Sequence, residues 1–269
     1  MAVVYKAVDT RSGKDVALKV PRPRGGADTA AERLRRLLRE VRTSARLAHP
    51  HIVRMLGAFD HGGRPWVVLE HVDGEPLSAA LDRGAVFTAR DVAACGEALA
   101  SALAHAHGRG VLHGDVAPAN VLLGRDGKAK LSDFGLAQLA EGPDAAREGR
   151  PPRAAPGGAP RRVAGTLPYI APEVLQGRAP GPRSDLFSLG AVLYEMAAGA
   201  PPFGGAGDEG LCDAILRDEP PPFAASGRAV PESLERALRR ALAKDPAARY
   251  ASAGEMEEDL RALRAGMDA

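Results

Sequence analysis

The sequence predicts an α+β fold in which strands and helices are segregated along the chain. Up to Leu69 the chain reads mainly as short strands, with alternation clearest at Val16, Leu18 and Val20, around one helix, and beyond Leu69 its character becomes helical. Val3 to Val8 reads as a first strand. Arg11-Ser12-Gly13-Lys14 is a turn, and Asp15 to Val20 is a second strand with Val16, Leu18 and Val20 on one face. That alternation puts Ala17 and Lys19 together on the opposite face. After the Pro21 to Gly26 punctuation, Asp28 or Thr29 caps a helix carrying Leu34, Leu37, Leu38, Val41 and Leu47, which His49-Pro50 ends. Two apolar runs, Ile52 to Phe59 and Trp66 to Leu69, flank the turn at His61-Gly62-Gly63 and complete a small antiparallel sheet.

The helical part begins with a capping signal, Thr88 with Asp91 three residues on, before Val92, Cys95, Leu99 and Leu103. Ser184 to Ala198 is a second helix, closed by Gly199 and Pro201-Pro202. Glu232 to Ala243 and Ser252 to Arg264 are the last two. The tract from Glu141 to Arg162, rich in Pro, Gly, Ala and Arg, cannot build a core and reads as a long mobile loop.

A chain of 269 residues is large enough for one unit of two lobes. Its 45% hydrophobic and 26% charged residues exclude global disorder, and no apolar run is long enough to span a membrane. Met1 to Lys6 lacks the layout of a secretion signal, so a cytoplasmic location is expected. Cys95 and Cys212 stand far apart, which fits a reducing compartment and argues against a structural zinc site. A net charge of +2 is too small to call for a nucleic-acid partner.

The chemistry concentrates in two segments, His113-Gly114-Asp115-Val116-Ala117-Pro118-Ala119-Asn120 and Leu131-Ser132-Asp133-Phe134-Gly135. Two carboxylates and an amide bracket short apolar runs there. A carboxylate can orient an attacking hydroxyl, and hard oxygen donors suit magnesium. These segments resemble the catalytic loop and Asp-Phe-Gly motif of protein kinases. Further landmarks follow in the family's order. Val16-Ala17-Leu18-Lys19 resembles the strand whose lysine holds the phosphates, and Glu40 matches the glutamate that orients it. Ala171-Pro172-Glu173 resembles the close of the activation segment. Asp185 resembles the aspartate that buttresses the catalytic loop, and Arg249 the arginine that pairs with Glu173. The resemblance spans roughly residues 1 to 263, and the motifs look closest to bacterial serine/threonine kinases.

That resemblance implies a two-lobed fold, a sheet lobe over residues 1–69 and a mainly helical lobe over 70–269, using ATP and Mg2+ on Ser/Thr of a protein substrate. Asp115 is the expected catalytic carboxylate, with Lys19 and Glu40 placing the phosphates and Asn120 and Asp133 as metal ligands. Val4, Ala17 and Leu122 are expected to sandwich adenine, Glu70 to Val72 to form the hinge, and Leu69 to guard the deeper pocket. Thr166 is expected to help shape the substrate site. In the same pattern His113 is a structural histidine packed near Phe134.

Several positions depart from the family's pattern. Met1 to Lys6 aligns just before the third glycine of the ATP loop, at Ala2, so the first strand and first two glycines are expected to be missing. Ala117 stands where serine/threonine kinases carry lysine, and Ala119 lacks the arginine of tyrosine kinases. Gly114 replaces an arginine that pairs with a phosphorylated activation loop, and no Ser, Thr or Tyr lies between Asp133 and Thr166. The two absences agree, because without a phosphate that arginine has no anion to hold. Ser44 interrupts the stripe of its helix. These departures also suit a pseudokinase acting as an interaction module, and His113-Gly114-Asp115 with Asn120 also resembles aminoglycoside-type phosphotransferases. His105 and His107, two apart on a helix, are expected to face different ways and to serve packing or solvent. The arginines at 147, 150, 153, 161 and 162 read as a solvated loop.

Overall fold

The structure, a computed structural model, describes residues 2–21, 47–62, 64–134 and 166–267. Strand β1 (Ala2–Val8) pairs antiparallel with β2 (Asp15–Pro21), which pairs with β4 (Arg64–Glu70), which pairs with β3 (Met55–His61). The first turn closes because the Asp9 carboxylate accepts from the Arg11 N–H at 3.0 Å and the Ser12 hydroxyl at 2.7 Å. Gly13 takes the left-handed conformation at φ 68°. Val4 lies opposite Lys19, and Ala17 lies between Lys6 and Leu69. Residues directly opposite share a face. One face therefore gathers Val4, Ala17, Lys19, Val67 and Leu69. The other carries Tyr5 and Phe59, each stacked on Trp66 with centroids 6.0 Å apart.

The apolar run expected as a strand from Ile52 enters the sheet only at Met55. Its first residues dock elsewhere: the Leu131 N–H donates to the His51 carbonyl and the Val53 N–H to the Leu131 carbonyl, each at 2.9 Å. Ile52 thus bridges in parallel to Leu131, far along the chain. The helix expected after Asp28 or Thr29, with Glu40 and Ser44, lies outside the described residues apart from Leu47. So does the tract from Glu141 to Arg162.

Beyond Glu70 the chain is not uniformly helical. A second antiparallel sheet joins β5 (Gly74–Pro76), β6 (Val121–Gly124) and β7 (Ala129–Leu131) in that order. These strands are too short to display a period. Around them pack α1 (Leu77–Asp82), α2 (Ala89–His107), α3 (Pro172–Leu175), α4 (Pro182–Ala198), α5 (Gly207–Arg217), α6 (Glu232–Ala241) and α7 (Ala253–Gly266). The expected capping box starts α2: Thr88 Oγ1 accepts from the Asp91 N–H at 3.2 Å, and the Asp91 carboxylate accepts from the Thr88 N–H at 2.8 Å.

Helix α2 is the axis of this part, packed between α4 and α7. Gly96 permits the approach, since a Cβ there stands 2.8 Å from both Leu193 and Leu260. Leu99, Leu103, Leu186, Leu189, Leu193 and Leu260 are fully buried. Each contributes about 1.5–3 kcal/mol of burial, so this core holds the framework on which the polar residues stand. Among the described residues no helix is long and apolar enough to cross a membrane.

Candidate active site

The segment after α2 is held by one buried carboxylate at the start of α4. Asp185 Oδ1 accepts from the Gly114 N–H at 2.8 Å; its Oδ2 accepts from the His113 N–H at 2.9 Å and from His107 Nε2 at 2.8 Å. The backbone bends sharply around that carboxylate, with Gly114 at φ 73°. Glycine occupies this conformation without the steric cost that a side chain brings. His113 is buried; its Nδ1 accepts from the Asp115 N–H at 3.1 Å and its Nε2 donates to the Ser132 carbonyl at 2.8 Å. Its ring meets Phe134 edge-on, centroids 4.6 Å apart. Phe134 is itself buried, so this histidine serves architecture.

Asp115, Asn120, Asp133 and Lys19 come together through consecutive contacts. Asn120 Nδ2 donates to the Asp115 carbonyl at 2.7 Å and to Asp115 Oδ2 at 3.0 Å. The Asn120 carbonyl accepts from both the N–H and the hydroxyl of Ser132, at 2.8 and 3.1 Å, which ties that turn to the residue before Asp133. Lys19 reaches from β2 to form an ion pair with Asp133. Asp133 has φ 71°, a conformation that costs a residue with a Cβ about 1–3 kcal/mol, and the ion pair is one interaction that sustains it. Burial pushes the Asp115 carboxyl above its ordinary range; the Asn120 hydrogen bond opposes the shift, and the neighbouring Asp133 charge adds to it. The neighbouring Thr166 side chain also opposes the rise.

This donor set fits magnesium. Asn120 presents its amide nitrogen to Asp115, which turns the amide oxygen away from that contact, and Asp133 engages Lys19 through Oδ2. Two hard oxygen donors are few for an all-protein cage but suit a small cation that also takes phosphate oxygens and water. Among the described residues no group of three His, Cys, Asp or Glu could hold a metal.

The residues expected around adenine are divided between the two sheets and the segment that follows β4. Ala17 and Leu69 are cross-strand partners; Leu122 is opposite Lys130 in the second sheet; Val4 is 59% exposed on β1; Val72 follows β4 and is half-buried. A cavity behind Leu69 is lined by Lys19, Met55, Val67, Leu69, Asp133 and Phe134, among others. Neither Val4, Ala17 nor Leu122 lines it, nor do Glu70 and Val72, so it is distinct from the space those residues were expected to enclose. Glu40 lies outside the described residues.

Further along the chain, Thr166 enters a 3-10 turn at Leu167–Tyr169. The Tyr169 hydroxyl donates to Glu195 at 2.6 Å and its carbonyl accepts from Ser188 at 2.7 Å, which pins the turn onto α4. Glu173 and Arg249 form a buried two-pronged pair, both bonds 2.8 Å, and Ser184 donates to the same carboxylate at 2.7 Å. Burial pushes Glu173 up, but the Arg249 and Ser184 hydrogen bonds outweigh it and leave the group below its ordinary value. Ala117, where a lysine was expected from the family pattern, is 3% exposed and belongs to the hydrophobic core.

Two residues escaped the sequence reading. His107, assigned there to packing or solvent, donates to Asp185, and the helical spacing offered no sign of a partner in α4. Lys130 pairs with Glu70 across the two sheets, and nothing in its neighbours marks it.

The family model described as "Protein kinase domain" matches residues 1–259, and the chain belongs to that family. It is 35% identical over 274 residues to the serine/threonine-protein kinase PknA of Mycobacterium tuberculosis, covering 99% of this chain and 59% of PknA. It is 34% identical over 270 residues to a probable serine/threonine-protein kinase of Streptomyces coelicolor, covering 99% of this chain and 38% of that one. The chain thus spans less than two thirds of the length of these relatives. A solved structure of Rad53 residues 1–466 in complex with AMP-PNP has the same fold, with a TM-score of 0.75 at 24% identity, over 95% of this chain and 60% of that one.

Proposed function

We propose that this chain transfers the γ-phosphoryl group of Mg-ATP to a Ser or Thr hydroxyl of a protein, working as two lobes about a hinge at residues 70–72. The observation that carries the reading is the linked series Lys19, Asp133, Ser132, Asn120 and Asp115, in which each member touches the next. The names of PknA and the streptomycete relative support the acceptor class, and the AMP-PNP complex of Rad53 supports the nucleotide.

In this reading Asp115 accepts a hydrogen bond from the incoming hydroxyl and orients its oxygen toward phosphorus. Asn120 and Asp133 hold magnesium, which supplies charge neutralisation on the phosphates when bound. Lys19 contacts the phosphates, with Glu40 as its expected partner, while Val4, Ala17 and Leu122 enclose the base and the hinge meets its edge. Leu69 guards the cavity behind. Position 117 brings no cation to the γ-phosphate, so charge there is neutralised less completely than in kinases with lysine at that position. Activity is expected without phosphorylation of residues 136–165, which hold no Ser, Thr or Tyr.

The direct trial is transfer of label from [γ-32P]ATP to a generic basic protein. Asp115→Asn is expected to lower kcat about 10²–10⁴-fold while the protein stays folded by circular dichroism. An unlabelled acceptor with the wild-type chain, or full activity in the Asn variant, overturns the reading.

A further inference from the structure

Glu70 is gripped from two sides. Its N–H donates to the Arg54 carbonyl at 2.9 Å, and its carboxylate accepts from the Arg54 N–H at 3.0 Å, both at the residue leading into β3. The same carboxylate oxygen takes Lys130 Nζ at 2.5 Å. Lys130 lies in β7 of the other sheet, three positions before Asp133 and directly opposite Leu122. The pair is mostly sheltered, with side chains 19% and 28% exposed. Beside it the segment from His51 to Val53 is hydrogen-bonded along the same strand: His51 Nδ1 donates to the Ala129 carbonyl at 2.8 Å, next to the Leu131 bonds already described.

The consequence follows from where each end of this contact is attached. Glu70 is the last residue of β4 and the first of the hinge; β7 leads directly into Asp133. One ion pair therefore joins the segment proposed to meet adenine to the strand that carries a proposed magnesium ligand. Arg54 fixes the second coordinate, so the hinge is held both to the small sheet and to the helical part. A long side chain placed opposite Leu122 and turned toward Glu70 is poorly explained as a surface charge.

We infer that Lys130 is a positioning residue for nucleotide binding: through Glu70 it sets the distance between the hinge and Asp133, and so pre-aligns the two ends of the ATP site. This rests on the kinase reading and adds to it a residue that touches neither base nor phosphate. Without the pair the two ends sample more arrangements. Only a fraction of them accepts ATP at both ends, and apparent affinity falls by that fraction.

The test compares wild type with Lys130→Met, Lys130→Arg, Glu70→Gln and the Lys130→Met/Glu70→Gln double variant. KM for ATP and kcat are measured by label transfer, and dissociation of Mg-ATP by calorimetry. Lys130→Met is expected to raise KM and the dissociation constant about 3–10-fold, more than it lowers kcat, with Lys130→Arg recovering most of the loss. The double variant is expected to bind no more weakly than the worse single one, as for two residues acting through one contact. A Lys130→Met chain with lower thermal stability but unchanged KM and dissociation constant makes the pair a structural brace and overturns the inference. Full additivity in the double variant overturns it too. A wild-type chain that neither binds nor turns over ATP removes the kinase reading itself, and the inference falls with it.

Discussion

Single residues carry charges whose balance depends on where the fold buries them. His49 is an example outside the active site. Its Nδ1 accepts from the His51 N–H at 3.2 Å, its Nε2 lies 3.4 Å from the Ser101 hydroxyl, and the rings of His51 and His105 stand 5.7 and 5.1 Å away. Burial, then the neighbouring His105, His51 and Arg109, lowers its pKa to about 4. A histidine depressed in the folded state takes up its proton more readily when unfolded. Its contribution is therefore present above the unfolded value near 6.5 and is lost as pH falls from there toward 4. Urea melts of wild type and His49→Gln between pH 7 and 4 are expected to show the shallower fall in the variant. Equal slopes count against the cluster as a source of acid lability. Glu173 has the opposite placement, a buried carboxylate met by two arginine bonds, and removing one partner of such a pair costs about 3–5 kcal/mol.

At the scale of elements, α4 works as the platform of the candidate catalytic loop. Its first turn supplies Asp185 to the loop backbone and to His107 on α2, and Ser184 to Glu173. Asp185→Ala leaves two backbone N–H groups and an imidazole in a buried place without acceptors, each loss worth about 1–3 kcal/mol. Chemical denaturation is expected to show a loss of several kcal/mol, and label transfer a fall in kcat, because Asp115 follows the two released amides directly. Asp185→Asn, which keeps an acceptor, is expected to lie between; a fully active and stable Ala variant contradicts the platform role. The element pattern was legible where period and punctuation were strong. Strands β1, β2 and β4, the Thr88 cap, and helices α2, α4, α6 and α7 all fall within a few residues of expectation. Helix α5 escaped because its apolar face is only Leu211, Ala214 and Ile215, and β5 to β7 because strands of three or four residues show no alternation.

For the whole molecule, the proposed ATP site draws on residues of both sheets, so ligand binding there is expected to couple to the stability of both parts. A ligand at a hundred times its dissociation constant stabilises a fold by about 2.7 kcal/mol. Mg-ATP is expected to raise the melting temperature of wild type, and Lys19→Met to abolish most of that rise. A Lys19→Met chain with the wild-type shift indicates that nucleotide binds elsewhere.

The order of Lys19, Asp115, Asn120, Asp133, Thr166, Asp185 and Arg249 was legible in the sequence alone, because each stands in a motif that resembles one of the protein kinases, and the resemblance implies its role. Which of them touch was decided only by the tertiary structure. Asp185 with His107 and Lys130 with Glu70 are pairs separated by 78 and 60 positions, whereas Glu173 with Arg249 was expected only through the resemblance to protein kinases. No period or cap relates residues so far apart; what brings them together is burial, which leaves each charge no solvent to turn to and so makes the distant partner obligatory.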